Sequence, residues 1–513
     1  MMEDLIKAYE DRGVKFWVEN GQLKFKAPSG ALNAEDKVKL RNVKEKLIEY
    51  YEKKDKSALR ADLSKRYEPF PLTGIQSAYL LGRNHNYEYG GVGCHAYFEL
   101  SMPHMDAERL ESAWYKVIMR HDMLRAVFLQ NGTQKILEHV DLPKLTYFNM
   151  KEAGAETTDS KLNEIRAELA HKQYQADCWP LFDLYLTDTI DKSILHFSID
   201  MLLSDFISMK TILNDLDAFY YEDGKNLKPL QVSFRDVLVY QKEHENDEEV
   251  RTKKDRDCEY WKKRLQNFPD APELPILPES KCEKVTFTQY RHFITPENWS
   301  KLCEKARMQR LTPSGVVLSA YAEIIGRWSK RKDFCIDITI LNRPSIHSQI
   351  NEIVGDFTEV DILEISPEYP SDFVERTRKI QNQLWEDLSH SAFTGIDVLR
   401  EINRQSEKKA IIPVVYTSTV GAADSEEQEN WEFMRNSRIT YKISQTPQVW
   451  IDCQVSEDNG GVLINWDVRD GVFPEGFVND AFEAFSLLIE RLCTNLKVWE
   501  QVHPVELPLK TGK

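Results

Sequence analysis

HFSIDMLLSDFIS, residues 196–208, joins two different hydrophobic periods. Leu195, Phe197 and Ile199 alternate with His196 and Ser198, the pattern of a half-buried strand, whereas Met209, Ile212, Leu213, Leu216, Phe219 and Tyr220 recur at helical spacing. Asp200 to Ser208 is therefore a strand-to-helix crossover, and it carries two carboxylates, Asp200 and Asp205. A pair working as acid and base must face each other across a bond. A separation of five residues matches neither the helix nor the strand period, so the two side chains should diverge. Asp205 and Ser208 fit a helix start, where short acceptor side chains satisfy the first free N–H groups. From this segment alone, that structural reading outweighs catalysis.

Outward from the crossover, strand-like and helix-like segments alternate from Phe70 to about Tyr240. A charge run at 242–257 precedes the proline-studded FPDAPELPILP (268–278), which can be neither regular helix nor central strand and suits an extended crossing between lobes. The alternation then resumes with a helix around Pro313 to Arg327 and strand-like FCIDITIL (334–341), AIIPVVYTST (410–419) and QVWIDCQV (448–455). A last helix lies near 478–493. The fold class expected is mixed α/β (α+β). No solenoid-type repeat or low-complexity tract interrupts it.

Residues 1–57 read as a small separate unit. Leu5, Ile6 and Tyr9 suggest a helix ending at Gly13; VKFWVE and QLKFKA alternate around Asn20-Gly21, a strong hairpin signal. After a turn at Pro28-Ser29-Gly30, a charged amphipathic helix runs through Val38, Leu40, Val43, Leu47 and Tyr50. The charged stretch 52–66 reads as a solvated link or exposed helix. The expected division is a unit at 1–57, a linker at 58–69, one lobe at 70–241 and a second at 242–513, in keeping with about three domains for a chain of 513 residues.

The net charge of −16 disfavours nucleic acid or an anionic membrane as principal partner, since both need a basic footprint. The acidic N-terminus is not a secretory signal and no run approaches 18 apolar residues, so a cytoplasmic location is expected. Eight scattered cysteines with no C-x-x-C pair read as free thiols rather than a disulfide frame or a metal site. There is no G-x-G-x-x-G, P-loop or G-x-S-x-G elbow.

Three polar clusters remain. FPLTGIQSAYLLGR (70–83) reads as a turn, a Thr73 N-cap and a helix. The crossover is the second. In the third, QVWIDCQV places Gln448, Trp450, Asp452 and Gln454 on one strand face, and IPVVYTST ends a nearly all-apolar run in the hydroxyls of Thr417 and Ser418. A polar strand face is ordinarily only solvated, but an aspartate enclosed beside a tryptophan could have a raised pKa and act as acid or base. Trp450 reads equally well as core, and His121 as helix-end packing.

These segments, with RHDMLRAVF (120–128), DMLLSDFIS (200–208), YWKKRLQNFPDAPELP (260–275), VGDFT (354–358), PVVYTS (413–418) and SQTPQVWID (444–452), stand in the order of the heterocyclization domains of nonribosomal peptide synthetases. The chain resembles that family from Phe70 to beyond Trp466, and residues 1–57 resemble the docking domain of tubulysin-type synthetases. Ordinary condensation domains carry two histidines, an aspartate and a glycine at the crossover; here Asp200 and Met201 stand for the histidines, Asp205 for the aspartate and Phe206 for the glycine. Methionine cannot take a proton as a general-base histidine does. Asp200, Asp205 and Ser208 meet the cyclizing family's D-x-x-x-x-D-x-x-S pattern in full.

The resemblance implies two lobes like chloramphenicol acetyltransferase, forming a V with a central tunnel, preceded by a small α-β-β-α docking domain. It implies no permanently bound cofactor or metal: partner carrier proteins, upstream and downstream, supply the phosphopantetheine arms. It implies amide formation with a tethered Cys, Ser or Thr, attack of its thiol or hydroxyl on the new carbonyl, and loss of water to a thiazoline or oxazoline. Asp452 is expected to move protons in the last step, with Thr417 orienting it or the departing oxygen and Asn342 hydrogen bonding during condensation. Asp205 is expected to pair with Arg343, while Asp200 and Ser208 shape the crossover. Trp450, Gln448 and Ser418 are expected to line the channel. The docking unit is expected to bind the C-terminal segment of an upstream synthetase by strand addition; dimerization through it stays open. The end at TGK suggests an excised piece. Competing readings are a condensing enzyme that stops at the amide and a noncatalytic module that recruits carrier proteins.

Overall fold

A computed structural model of the chain describes residues 59–278, 285–367, 370–405, 410–421 and 436–507, with 6, 9, 14–19, 22–26, 36, 39–40 and 43–48 near the N-terminus. The chain divides into two compact units, Met1–Ala61 with Pro344–Ile350, and Asp62–Arg343 with Asn351–Lys513.

In the first unit, strands β1 (Lys15–Glu19) and β2 (Gln22–Lys26) pair antiparallel with Phe16 opposite Phe25. Residues 6 and 9 before the hairpin and 44–48 after it are helical. Ile6, Tyr9, Val14, Phe16, Leu40 and Leu47 bury together, with the Tyr9 ring edge-on to Phe16 at 5.9 Å. The α-β-β-α order thus follows the hydrophobic periods. The expected turn at Asn20-Gly21, the helix end at Gly13 and the turn at 28–30 lie outside the described residues.

The strands of the second unit are, in chain order, β3 (Phe70–Pro71), β4 (His95–Met102), β5 (Ala126–Phe128), β6 (Thr133–Ile136), β7 (Thr146–Asn149), β8 (Phe182–Asp188), β9 (Ser193–Asp200), β10 (Phe287–Ile294), β11 (Phe334–Leu341), β12 (Thr358–Ile365), β13 (Val414–Ser418), β14 (Arg438–Gln445), β15 (Ile451–Asp458) and β16 (Gly461–Arg469). They form a five-stranded sheet in the order β14-β4-β9-β8-β7, a six-stranded sheet in the order β10-β16-β15-β13-β11-β12, and a small β3-β6-β5 sheet. The fold is mixed α/β with two sheet-containing lobes. Ile336, Ile338, Tyr416, Ile451, Cys453 and Val455 turn one face of the six-stranded sheet to a core shared with the helices Pro313–Trp328 and Phe477–Thr494. Alternate residues, including Thr339, Thr417, Asp452 and Gln454, therefore face the other way.

The lobes are not two contiguous halves. β14 belongs to the C-terminal stretch in sequence but pairs antiparallel with β4, Gln445 opposite His95 and Arg438 opposite Ser101. Pairing covers an edge of β4 that would otherwise present free N–H and C=O groups. Nor is β9 half-buried as its alternation implied: all eight residues are buried. His196 meets the Tyr97 hydroxyl at 2.9 Å and Thr187 at 3.0 Å, and Ser198 meets His95 at 2.8 Å and Tyr174 at 2.6 Å. Buried polar groups that find such partners show the same sequence period as groups facing water.

The proline-rich 268–278 passage has no helix or strand, as expected, but it straps onto the six-stranded lobe instead of crossing between lobes. The carbonyls of Asp270 and Glu273 accept from Cys335 and Lys330, both at 3.0 Å, and Leu274 is buried in that lobe's core. The charge run at 242–257 is largely exposed helix, within Phe234–His244 and Glu248–Arg264. No helix among the described residues is long and apolar enough to cross a membrane.

Candidate active site

The crossover joins β9 to the helix Phe206–Glu222. Its two carboxylates diverge. Asp200 accepts from the Leu202 N–H at 3.0 Å and pairs with Arg83 at the end of the FPLTGIQSAYLLGR segment. The same segment supplies Thr73, whose hydroxyl and the Gln76 side chain close a capping box, and Gln76 donates to the Leu202 carbonyl at 2.8 Å. Asp205 is the N-cap of the following helix, accepting from the Ser208 N–H at 2.6 Å, and pairs with Arg343 at 2.7 Å. Arg343 also donates to the Ser208 hydroxyl at 2.8 Å and to the Ile353 carbonyl at 2.8 Å. Ser208 in turn bonds both backbone groups of Gly355, accepting at 3.0 Å and donating at 2.8 Å. This approach requires glycine: a Cβ on Gly355 would be driven into the Phe234 ring. The crossover is thus a buried clasp on the 353–357 loop. His121 is buried against Asp215 at 2.8 Å, a structural pair at a helix end.

A second constellation lies on the face of the six-stranded sheet opposite its helical core. Parallel pairing sets Val415 beside Asp452 and Thr417 beside both Thr339 and Gln454; antiparallel pairing sets Asp452 opposite Asp467. Pro413 precedes the first paired residue of β13, and its carbonyl accepts from the Trp450 N–H at 2.7 Å, which brings β15 alongside. The Thr417 hydroxyl lies 3.1 Å from Asp452 Oδ1, and Gln454 donates to Asp452 Oδ2 at 2.8 Å. Gln454 also reaches the Ser444 hydroxyl on β14 at 2.7 Å, and Ser444 donates to Asp467 at 2.7 Å.

Burial pushes the Asp452 carboxyl up to about 6; the Gln454 donor opposes this, the Asp467 carboxylate reinforces it, and Thr417 and Lys442 oppose it further. A carboxyl in this range can both give and take a proton near neutral pH. Burial, reinforced by Asp452, pushes Asp337 up to about 8. Lys442, on the face of β14 that carries Ser444, is lowered by burial and held up in part by Asp467.

Of the residues anticipated around Asp452, Thr417 touches it and four do not. Asn342 is exposed and donates to Glu359 at 2.9 Å. Ser418 is bonded to the Ser314 hydroxyl at 2.9 Å, on the helix-covered side of β13, because neighbouring strand residues point to opposite faces. Gln448 and Trp450 precede β15: Gln448 has a left-handed φ of 64°, which breaks the alternation expected to align it with Asp452. Trp450 is 8% exposed and packs edge-on against Tyr89 at 5.2 Å and Phe473 at 6.2 Å. Trp450 is therefore packed into the core of the six-stranded lobe.

The sequence places Gln454 on the polar strand face beside Asp452 but singles out none of Ser444, Asp467, Lys442, Asp337 and Thr339. Part of the signal was present: Asp337 and Thr339 interrupt FCIDITIL at every second position, as Asn465 and Asp467 interrupt INWDV. Nothing local indicated that β14 would cross over to face them.

A condensation-domain model matches residues 70–502, and the model of the TubC N-terminal docking domain matches residues 2–53. Pyochelin synthetase PchF of Pseudomonas aeruginosa is 36% identical over 510 residues, 98% of this chain and 28% of that protein. Phenyloxazoline synthase MbtB of Mycobacterium tuberculosis is 32% identical over 453 residues, 87% of this chain and 31% of that protein. The chain therefore spans less than a third of the length of these curated relatives. The EpoB nonribosomal peptide synthetase cyclization-docking bidomain of Sorangium cellulosum superimposes with a TM-score of 0.77 at 30% identity, covering 98% of this chain and 100% of that one. With condensation-domain and docking-domain matches over 70–502 and 2–53, relatives of this similarity and the crossover clasp in place, this chain belongs to the condensation-domain family of nonribosomal peptide synthetases, in its cyclization-docking form.

Proposed function

We propose that the chain is the heterocyclization unit of a peptide synthetase. It joins an upstream carrier-bound acyl or peptidyl thioester to a carrier-bound cysteine, serine or threonine, then closes and dehydrates the ring. The observation that carries this reading is the Thr417–Asp452 contact at 3.1 Å, with burial holding the Asp452 carboxyl near neutrality.

In the first step the acceptor amine displaces the donor thiol to form an amide. The reactants are tethered, so alignment supplies much of the rate and a neutral amine needs no strong base. The acceptor thiol or hydroxyl then adds to the amide carbonyl, giving a ring carbon that bears a hydroxyl. Loss of water needs a proton on the departing oxygen and removal of one from nitrogen. Protonated Asp452 gives the first and, as carboxylate, accepts the second, which returns it to its starting state. Thr417 and Gln454 hold the two carboxyl oxygens in place. Asn342 has no role in this scheme.

The phosphopantetheine arms belong to the carrier proteins and arrive as part of the substrates. The docking unit takes an upstream synthetase's C-terminal segment through the edge of its hairpin, consistent with the docking-domain match over 2–53. The division into 1–57, 58–69, 70–241 and 242–513 belongs to the same reading, amended by the strand that β14 lends to the first lobe.

The test is reconstitution with both loaded carriers, followed by mass spectrometry. A product lighter than the amide by one water supports cyclodehydration; amide alone indicates simple condensation, and no product indicates a recruitment role. Asp452→Ala should accumulate uncyclized amide.

A further inference from the structure

The Thr417 hydroxyl has two oxygen neighbours, Asp452 Oδ1 at 3.1 Å and the Thr339 hydroxyl at 2.8 Å. A hydroxyl carries one proton and can donate it to only one of them at a time. When Asp452 is ionised, Thr417 donates to the carboxylate and is left free to accept from Thr339. When Asp452 is protonated and, before it serves the departing oxygen, donates to Thr417, the Thr417 proton turns to Thr339. We propose that Thr339 is a positioning residue for ring dehydration: its hydroxyl completes a two-membered chain whose direction reverses with the proton on Asp452.

The strand register builds this chain. β11 and β13 run parallel with Thr339 beside Thr417, and β13 and β15 run parallel with Val415 beside Asp452. Thr417 therefore stands one step along its strand face from the row that contains Asp452, within reach of both partners. A serine, threonine or other hydroxyl is needed at 339, because the group must accept in one state and donate in the other; valine has the same shape and does neither. The charged and titratable groups acting on this pair include Asp467 from β16, Lys442 from β14 and Asp337 from β11. The Thr417 hydroxyl is bonded to Thr339 and Asp452 and to none of these three groups. A carboxyl that first gives and then takes a proton needs a neighbour that follows both changes, and fixed donors such as the Gln454 amide do not.

This inference rests on the proposed role of Asp452, and the experiment separates the two. Thr339→Val, Thr339→Ala and Thr339→Ser are compared with Asp452→Ala in the full chain, using loaded carriers and quantifying amide and ring together. Thr339→Val and Thr339→Ala should lower the ring-to-amide ratio about tenfold, the scale of one lost hydrogen bond, while Thr339→Ser restores it to within about threefold. In a Thr417→Val background, Thr339→Val should cause little further loss, since the chain is already cut. A ratio unchanged in Thr339→Val, a serine variant no better than alanine, or fully additive losses would overturn the inference while leaving Asp452 in place. A variant that lost amide and ring in equal proportion would reduce Thr339 to packing. Undiminished ring formation by Asp452→Ala would overturn the reading of Asp452 and this inference together.

Discussion

Raising the pH should uncouple the two halves of the reaction. If protonated Asp452 must deliver a proton to the departing oxygen, the dehydration rate follows the acid form of a carboxyl that burial holds at about 6. Roughly half of that group is protonated at pH 6, about 10% at pH 7 and about 1% at pH 8, so ring formation should fall about tenfold per pH unit above 7. Amide formation draws on a neutral amine and should not fall with it, so the amide should accumulate as the pH rises. Thr417→Val removes a donor to the ionised form. A bond of that kind contributes roughly 1.5 kcal/mol, and its loss should move the inflection up by about one unit while lowering the limiting rate. Asp452→Asn should abolish the inflection and reduce dehydration by about 10²–10⁴-fold, the usual contribution of a positioned proton-transfer group. The assay is single-turnover quench of amide and ring from pH 5.5 to 8.5, with both carriers preloaded. A ring-to-amide ratio that is flat across this range, or that rises with pH, would refute the assignment of Asp452 as proton donor.

Three further outcomes are expected. Asp205→Ala leaves Arg343, whose side chain is 4% exposed, without its carboxylate and removes a helix cap; it should cost about 4 kcal/mol in urea unfolding, and a cycle with Arg343→Met should show coupling above about 1 kcal/mol. Asp337→Asn should stabilise the fold at pH 8, by up to about 5 kcal/mol. Because its folded pKa is raised, ionising Asp337 opposes folding increasingly as pH climbs from about 4 to about 8, so the gain should vanish near pH 4; an equal gain at both pH values would count against this. Deleting residues 1–57 should leave the melting of the remaining chain cooperative but slow transfer from the natural upstream protein, and equal transfer rates before and after deletion would exclude a docking role.

The sequence by itself determined the local elements and the family. The switch of period at Asp200–Ser208 located the crossover and its N-cap, because helix starts are set by a few neighbouring residues, and the ordered motifs identified the cyclization-docking form. Asp452 and Thr417 were legible through the family resemblance, which singles them out from a polar strand face and a strand end that would otherwise read as solvated. Tertiary structure decided which residues share their face. β14 leaves its own half of the chain to pair with β4, carrying Ser444 and Lys442 toward Asp467 and Asp452, and parallel pairing of β11 with β13 sets Thr339 beside Thr417. The Ser444–Asp467 and Thr339–Thr417 hydrogen bonds join residues 23 and 78 positions apart, beyond the reach of any local period. It also decided that Trp450 is core and Ser418 faces helices: the left-handed turn at Gln448 resets the alternation, and neighbouring hydroxyls on one strand must point to opposite faces.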